Sequence, residues 1–163
     1  MREPMTERLN ERLNERLNER LNEKVAGFEA ECRKRGLAVT VQRLTVFEAL
    51  SARRDHPTAD QVYDAVRDRI PGLSRTTVYR VLEALVEAGF VRKVHHAGGV
   101  ARFDPMTHRH HHLVCEACGR LVDLDDAVVP TLRLPEARGS GFRIKDYSVS
   151  FLGLCGACAR AKR

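Results

Sequence analysis

The chain has no stretch approaching the roughly 20 consecutive apolar residues that a membrane span requires. It also lacks a basic segment leading into an apolar run at Met1-Arg2-Glu3, so no secretory leader is expected and the default expectation is a cytoplasmic protein. In that reducing setting its five cysteines are not read first as disulfides. Zinc nucleobase deaminases pair a His-x-Glu with a Pro-Cys-x-x-Cys. Here no His-x-Glu occurs and Val114 precedes Cys115, which argues against an enzyme. What is present is a 163-residue chain, 43% hydrophobic, enough for one full domain or two small ones.

The net charge of +6 is unevenly placed. Residues 31–103 carry 13 Lys/Arg against 8 Asp/Glu, whereas residues 104–163 carry 9 against 7 and residues 1–30 carry 6 against 7. A surplus concentrated in one segment suits contact with a polyanion, provided a recognition helix lies there too.

Residues 7–22 are four copies of Glu-Arg-Leu-Asn. On a helix, a period of four advances each copy by about 40°, so Leu9, Leu13, Leu17 and Leu21 form a slowly spiralling stripe. It continues through Val25, Phe28 and Cys32 to a stop at Gly36. Two readings stand: an extended first helix packed on a partner, or a tail produced by repeat expansion, with Met5 as an alternative start. Cys32, beside Phe28 on the stripe, is expected in the core and is otherwise an oxidation target.

From residue 40 the pattern tightens. Thr40 caps a helix to about Ala52, and Thr58 with Gln61 forms a capping box for a helix bearing Val62, Val66 and Ile70, ended by Pro71-Gly72. Ser74 caps a third helix with Val78, Val81, Leu82 and Leu85 on one face and a stop at Gly89. Val91–His95 and Val100–Asp104, separated by Ala97-Gly98-Gly99, read as a hairpin. Three helices followed by a two-stranded hairpin describe a winged helix-turn-helix. The expected organisation is an extension over 1–23, a winged-helix domain over 24–104, a hinge over 105–111 and a second domain over 112–163. In that second domain residues 127–138 are a doubtful helix, given Pro130 and Pro135, and 142–152 a strand with a slip at Asp146.

On the helix after Ser74, the face opposite the apolar stripe presents Thr76, Tyr79, Arg80 and Glu83, with Arg75 in the first turn. An arginine, a hydroxyl and an aromatic edge are groups that a DNA major groove accepts. Lys34, Arg35 and Arg43 are candidates for backbone or minor-groove contacts. The competing reading is a solvated face.

Cys115-Glu-Ala-Cys118 and Cys155-Gly-Ala-Cys158 supply four thiolates from two tight turns, the donor set of a closed structural Zn2+ site. A redox dithiol would need a surrounding βαβ pattern that is missing. The run His108-Arg-His110-His111-His112 lies between Asp104 and Asp123. If it is extended, His110 and His112 share a face, and imidazoles with carboxylates suit Fe2+, Mn2+ or Zn2+. A solvated His-rich loop is the alternative. His56 is not selected by spacing, and His95, His96, His108 and His111 have no assigned role.

The strings Gly36-Leu-Ala-Val-Thr-Val-Gln-Arg43, His56-Pro-Thr-Ala-Asp60, Ser74-Arg-Thr-Thr-Val-Tyr-Arg80 and His110-His-His-Leu-Val-Cys-Glu-Ala-Cys-Gly119, in this order and closed by the second cysteine pair, resemble the ferric-uptake-regulator family of bacterial metal-sensing repressors. The resemblance spans about residues 34–160. It implies an α+β protein: a winged-helix domain hinged to an α/β dimerisation domain with a four-cysteine zinc, acting as a homodimer on a palindromic double-stranded operator. It also implies a regulatory Fe2+ or Mn2+ held by His56, Asp104, His110, His112 and Asp123, setting the angle between the domains. Aspartate at 104 and 123 resembles the peroxide-sensing branch, in which iron-catalysed oxidation of a ligand histidine, here His56 or His110, releases the ion and the DNA. An iron- or manganese-responsive uptake regulator is the alternative branch, and a zinc-stapled dimer without sensing is a further rival. The further metal site of many iron-uptake members is expected to be lost, with Arg109, Pro130 and Tyr147 at its positions.

Overall fold

The computed structural model describes residues 5–94, 99–134, 139 and 141–161, with side chains on the first helix from Glu15 onward except Leu17. The side chains of Leu9, Leu13 and Leu17, and all of His95 and His96, lie outside the described residues.

Helix α1 runs Met5–Lys34 and is followed by Gly36 at φ 67°, a left-handed stop that glycine adopts without a Cβ penalty. Burial deepens along its stripe. Leu21 and Val25 are partly covered, while Phe28 and Cys32 are core, Phe28 stacking on Phe47 at 4.1 Å and meeting Phe90 edge-on at 4.8 Å. Burial raises the Cys32 thiol above its ordinary pKa, opposite to the shift that makes a reactive thiolate, so the core reading of this residue holds.

Helix α2, Val41–Ser51, starts where Thr40 accepts from the Arg43 N–H. The reciprocal box at α3, Ala59–Val66, is fully formed: Gln61 N–H to Thr58 Oγ1 at 3.3 Å and Thr58 N–H to Gln61 Oε1 at 2.9 Å. α3 ends at Val66 rather than reaching Ile70. Arg69 N–H bonds the Val66 carbonyl in a tightened turn, and Pro71 disfavours a helical Ile70. Helix α4, Arg75–Glu87, is capped by Ser74 and stopped by Gly89 at φ 73°.

The hairpin pairs β1, Arg92–Val94, with β2, Arg102–Asp104, in antiparallel register Lys93 to Phe103. Phe103, Phe90 and Val91 join the apolar faces of the four helices in one core. This is a winged helix-turn-helix preceded by one long helix.

The second unit is a three-stranded sheet in the order β4-β3-β5. β3 is His110–Cys115, β4 Leu121–Asp125 and β5 Ser150–Gly153, with β3–β4 antiparallel and β3–β5 parallel. A short helix α5, Gly156–Ala161, follows. β3 begins at His110, inside the segment read as the hinge.

Two elements differ from expectation. Among the described residues of 127–138 there is only a 3-10 turn at Asp126–Val128, begun by Asp125 Oδ1 accepting from Ala127 N–H, since Pro130 cannot supply an N–H to continue it. The strand expected over 142–152 is confined to Ser150–Gly153. Upstream, Val149 N–H is taken by His111 Nδ1 at 3.1 Å instead of by a ladder carbonyl, and Asp146 is drawn to Arg92 of the wing at 3.1 Å.

Candidate metal centres and DNA-facing surface

His112 lies directly across from Asp123 in the β3–β4 pair, and His110 is two residues along on the same face. Asp104 arrives from the end of β2. His56 arrives from the α2–α3 connection, which is fastened to β2: Phe103 N–H bonds the Pro57 carbonyl at 3.0 Å, and Arg102 bonds the His56 carbonyl at 2.9 Å. His56 itself sits at φ 49°, a left-handed conformation that costs a non-glycine residue on the order of 1 kcal/mol or more and concentrates at functional sites.

The result is a buried cluster at the seam between the two units. His56, Asp104, His110 and His112 are 2–4% exposed and offer ligand atoms that all lie within 4.8 Å of one another. His56 Nε2 is 2.8 Å from Asp123 Oδ1 and 3.6 Å from Asp104 Oδ2, and His110 Nε2 is 2.9 Å from Asp104 Oδ2. Asp123 is the outermost member, its side chain 26% exposed.

Five converging atoms lack a hydrogen bond despite this proximity: His56 Nε2, Asp104 Oδ2, His110 Nε2, His112 Nε2 and Asp123 Oδ1. Buried polar atoms are ordinarily satisfied, so five orphans pointing at one place fit a cation. Of the atoms facing away from the cluster, those of Asp104 and His110 are held from behind, while His56 Nδ1 and His112 Nδ1 are buried without a hydrogen-bond partner. Asp104 Oδ1 accepts from Met106 N–H at 2.7 Å, and His110 Nδ1 lies 2.9 Å from the His108 carbonyl, which presents its Nε2 lone pair to the cluster.

Burial, then the neighbouring His110 and His56, lower the His112 pKa to about 4, leaving it neutral and ready to donate. Burial pushes Asp104 upward, but the His56 imidazole, the Met106 amide and His110 outweigh it and hold the carboxyl below its ordinary value.

The four cysteines also assemble. Cys115 ends β3, Cys118 follows in a turn closed by Gly119 N–H to the Cys115 carbonyl at 2.8 Å, and Cys155 and Cys158 flank the start of α5. Their sulfurs lie within 4.8 Å of one another, with Cys118 and Cys155 3.8 Å apart and Cys155 N–H donating to Cys115 Sγ at 3.3 Å. Amide donation from Cys155 and Cys118 pulls Cys115 down to about 6, while the other three sulfurs push Cys158 up to about 12. The first thiolate forms readily and the last needs a cation, which is the behaviour of a zinc site. The donor chemistry of both clusters therefore suits metal ions.

On α4, Thr76, Tyr79 and Arg80 are exposed together. Arg75 is paired with Asp60 at 2.5 Å and lies over the Tyr63 ring, locking α4 to α3. Lys93 reaches Glu83 at 2.5 Å and ties the wing to the same helix. Lys34 is exposed with its ammonium 3.5 Å from Glu31, Arg43 bonds the Ala38 carbonyl, and Arg35 reaches Glu31, the Ala88 carbonyl and the Phe90 ring.

Spacing had left His111 without a role. It points to the other sheet face, 3.0 Å from Asp126 and stacked on Tyr147, and Arg109 lies between Asp126 and Asp146 above the same ring. Arg109 and Tyr147, two of the three positions at which the resemblance expects a further metal site to be lost, therefore lie together on this face, and Pro130 takes no part in these contacts. That sheet face also carries a row of cross-strand neighbours, Val122, Leu113 and Phe151, 39–44% exposed. No described helix is long and apolar enough to cross a membrane.

A winged helix joined to a small sheet, with a buried nitrogen–oxygen cluster at the seam and a four-sulfur cluster beyond it, defines a metal-dependent DNA-binding regulator. The ferric uptake regulator family model matches residues 34–152, and the chain belongs to that family of transcriptional regulators. It is 38% identical to the transcriptional regulator FurA of Mycobacterium tuberculosis over 138 residues, 83% of this chain and 92% of that one. It is 31% identical to the peroxide operon regulator of Bacillus subtilis over 128 residues, 78% and 88% of the two chains. Among solved structures, a zinc uptake regulator in complex with zinc and DNA aligns with TM-score 0.64 at 27% identity, covering 87% of this chain and 97% of that one.

Proposed function

We propose that this metal-dependent repressor senses hydrogen peroxide. The observation that carries the reading is the donor set at the domain seam: three imidazoles and two aspartates, with five buried atoms unpartnered. His56, Asp104, His110, His112 and Asp123 would hold Fe2+ or Mn2+, and Cys115, Cys118, Cys155 and Cys158 would hold a structural Zn2+. Iron bound at the seam supplies the reduction of peroxide.

The chain's own residues do the rest. His56 and His110 present ring edges beside the carboxylates, and one of these rings takes up one oxygen atom from peroxide, with water as the second product. An oxidised ring is a poorer ligand, and His56 is the ligand that reaches into the seam from the α2–α3 connection. Weakening its bond to the ion frees the winged helix to change its angle to the sheet.

Two copies joined through the exposed Val122–Leu113–Phe151 row would set two α4 helices in successive major grooves of a palindromic operator. Thr76, Tyr79 and Arg80 face the bases, and Arg75, Lys34 and Arg43 the phosphates. Arg35, committed to Ala88 and Phe90, contributes by positioning α4. The regulated genes would then be those of peroxide stress and metal homeostasis.

The test loads the dimer with Fe2+ or Mn2+ without oxygen, adds peroxide, and follows operator binding with mass spectrometry of the His56 and His110 peptides. One added oxygen and loss of DNA in the iron form alone supports the proposal. Unmodified histidines with intact DNA affinity would refute peroxide sensing and leave an iron- or manganese-responsive uptake regulator.

A further inference from the structure

A cavity of about 560 Å3 opens over the seam cluster, with His56, Asp104 and Asp123 among its lining residues. Its volume is in the range of small-ligand sites, about 300–1,000 Å3. One side is supplied by α1, through Asn18, Arg20, Leu21 and Lys24. These residues precede the family-matched segment, which starts at residue 34, and Asn18, Arg20 and Leu21 lie in the repeats. Arg53 and Arg54 complete the mouth.

The charge balance there is one-sided. Asp104 and Asp123 would balance the charge of a divalent ion held on the floor. At the mouth Arg53 is paired with Asp55 at 2.5 Å, but Arg20, Lys24 and Arg54 have no carboxylate partner among the described residues. Three cations without an ion-pair partner around an opening favour anions over further divalent ions. Between them lie Leu21, Ala52 and Met106, an aliphatic lining that a fully hydrated inorganic anion would not use.

We propose that this vestibule binds a small amphipathic carboxylate over the outer face of the regulatory ion, its anionic end met by Arg20, Lys24 and Arg54 and its alkyl part by Leu21 and Met106. The inference rests on the seam cluster holding an ion, and not on the peroxide reaction. α1 thereby becomes a gate that decides which organic anions reach the sensing centre.

The experiment uses the full-length zinc-bound dimer with substoichiometric Mn2+, whose paramagnetism broadens nearby ligand protons, and pentanoate as the probe. Free Mn2+ is followed by electron paramagnetic resonance. Pentanoate should broaden in the Mn2+ protein, pentan-1-ol should not, and Arg20→Ala with Lys24→Ala should weaken pentanoate binding about tenfold while leaving Mn2+ affinity unchanged. Equal broadening of the alcohol, or full broadening in the double variant, overturns the vestibule, as does tight Mn2+ binding without broadening. Failure of Mn2+ to bind at all overturns both the ion site and this inference.

Discussion

Replacing Asp104 by Asn tests the seam most directly, because the change keeps the shape while removing the charge and one acceptor oxygen. The carboxylate is 2% exposed, with Oδ2 2.9 Å from His110 Nε2 and 3.6 Å from His56 Nε2. Removing one partner of a buried charge pair costs about 3–5 kcal/mol. At 1.4 kcal/mol per decade, Mn2+ affinity should fall by about 10^2 to 10^3.5. If metal and DNA affinities are linked through the domain angle, as proposed, operator affinity should fall at fixed Mn2+ and return when Mn2+ is raised by the same factor. Isothermal titration with Mn2+ and fluorescence anisotropy on a labelled operator read the two sides, with thermal melting as the check on folding. A fall in Mn2+ affinity below tenfold would remove Asp104 from the site. A full fall with operator binding untouched would break the coupling on which regulation depends.

Cys158→Ser should abolish tight zinc binding and cause loss of the dimer by sedimentation, because it removes one of the four sulfurs that converge within 4.8 Å of one another. Arg80→Ala should cost about 1–3 kcal/mol of operator discrimination, read by competition between cognate and scrambled duplexes; equal loss on both would make Arg80 a phosphate contact. Arg92→Ala removes an interdomain pair whose side chains are 37% and 44% exposed, so stability should change by less than about 1 kcal/mol in urea melts. Asp146 is held low first by the Tyr147 amide and then by Arg92, so any pairing stability is present above the ordinary carboxylate pKa and lost as pH falls through the lowered one. In the Arg92→Ala protein its carboxyl should titrate closer to the ordinary value by NMR.

Much of the winged helix was legible because its signals are local. Thr40, Ser74 and the Thr58–Gln61 box each act within three residues, and the Val78-Val81-Leu82-Leu85 face follows from helical period. The cysteine pairs were legible for the same reason, each being a four-residue turn. The pieces between Val128 and Val149 were not, because their backbone groups are satisfied by side chains from elsewhere: Val149 by His111, and Leu132 by the Tyr147 hydroxyl at 3.1 Å. Such partners leave no periodicity to find.

Near neighbours along the chain settle α2, α3 and α4, the hairpin, the two thiolate turns and, for an extended run, the shared face of His110 and His112, whereas the repeats of α1 allow two readings and α5 has no local signature of its own. From sequence His56 joins His110 and His112 only through the family resemblance; the fold supplies the reason, bringing it across the 48 residues to Asp104 by fastening the α2–α3 connection to β2 with a backbone hydrogen bond. The tertiary structure also decided that Arg35 serves the fold, that His111 braces the far sheet face, and that α1 walls the cavity above the metal ligands. Each of these depends on which surfaces meet across the seam, and that is set by burial of whole faces rather than by any local pattern.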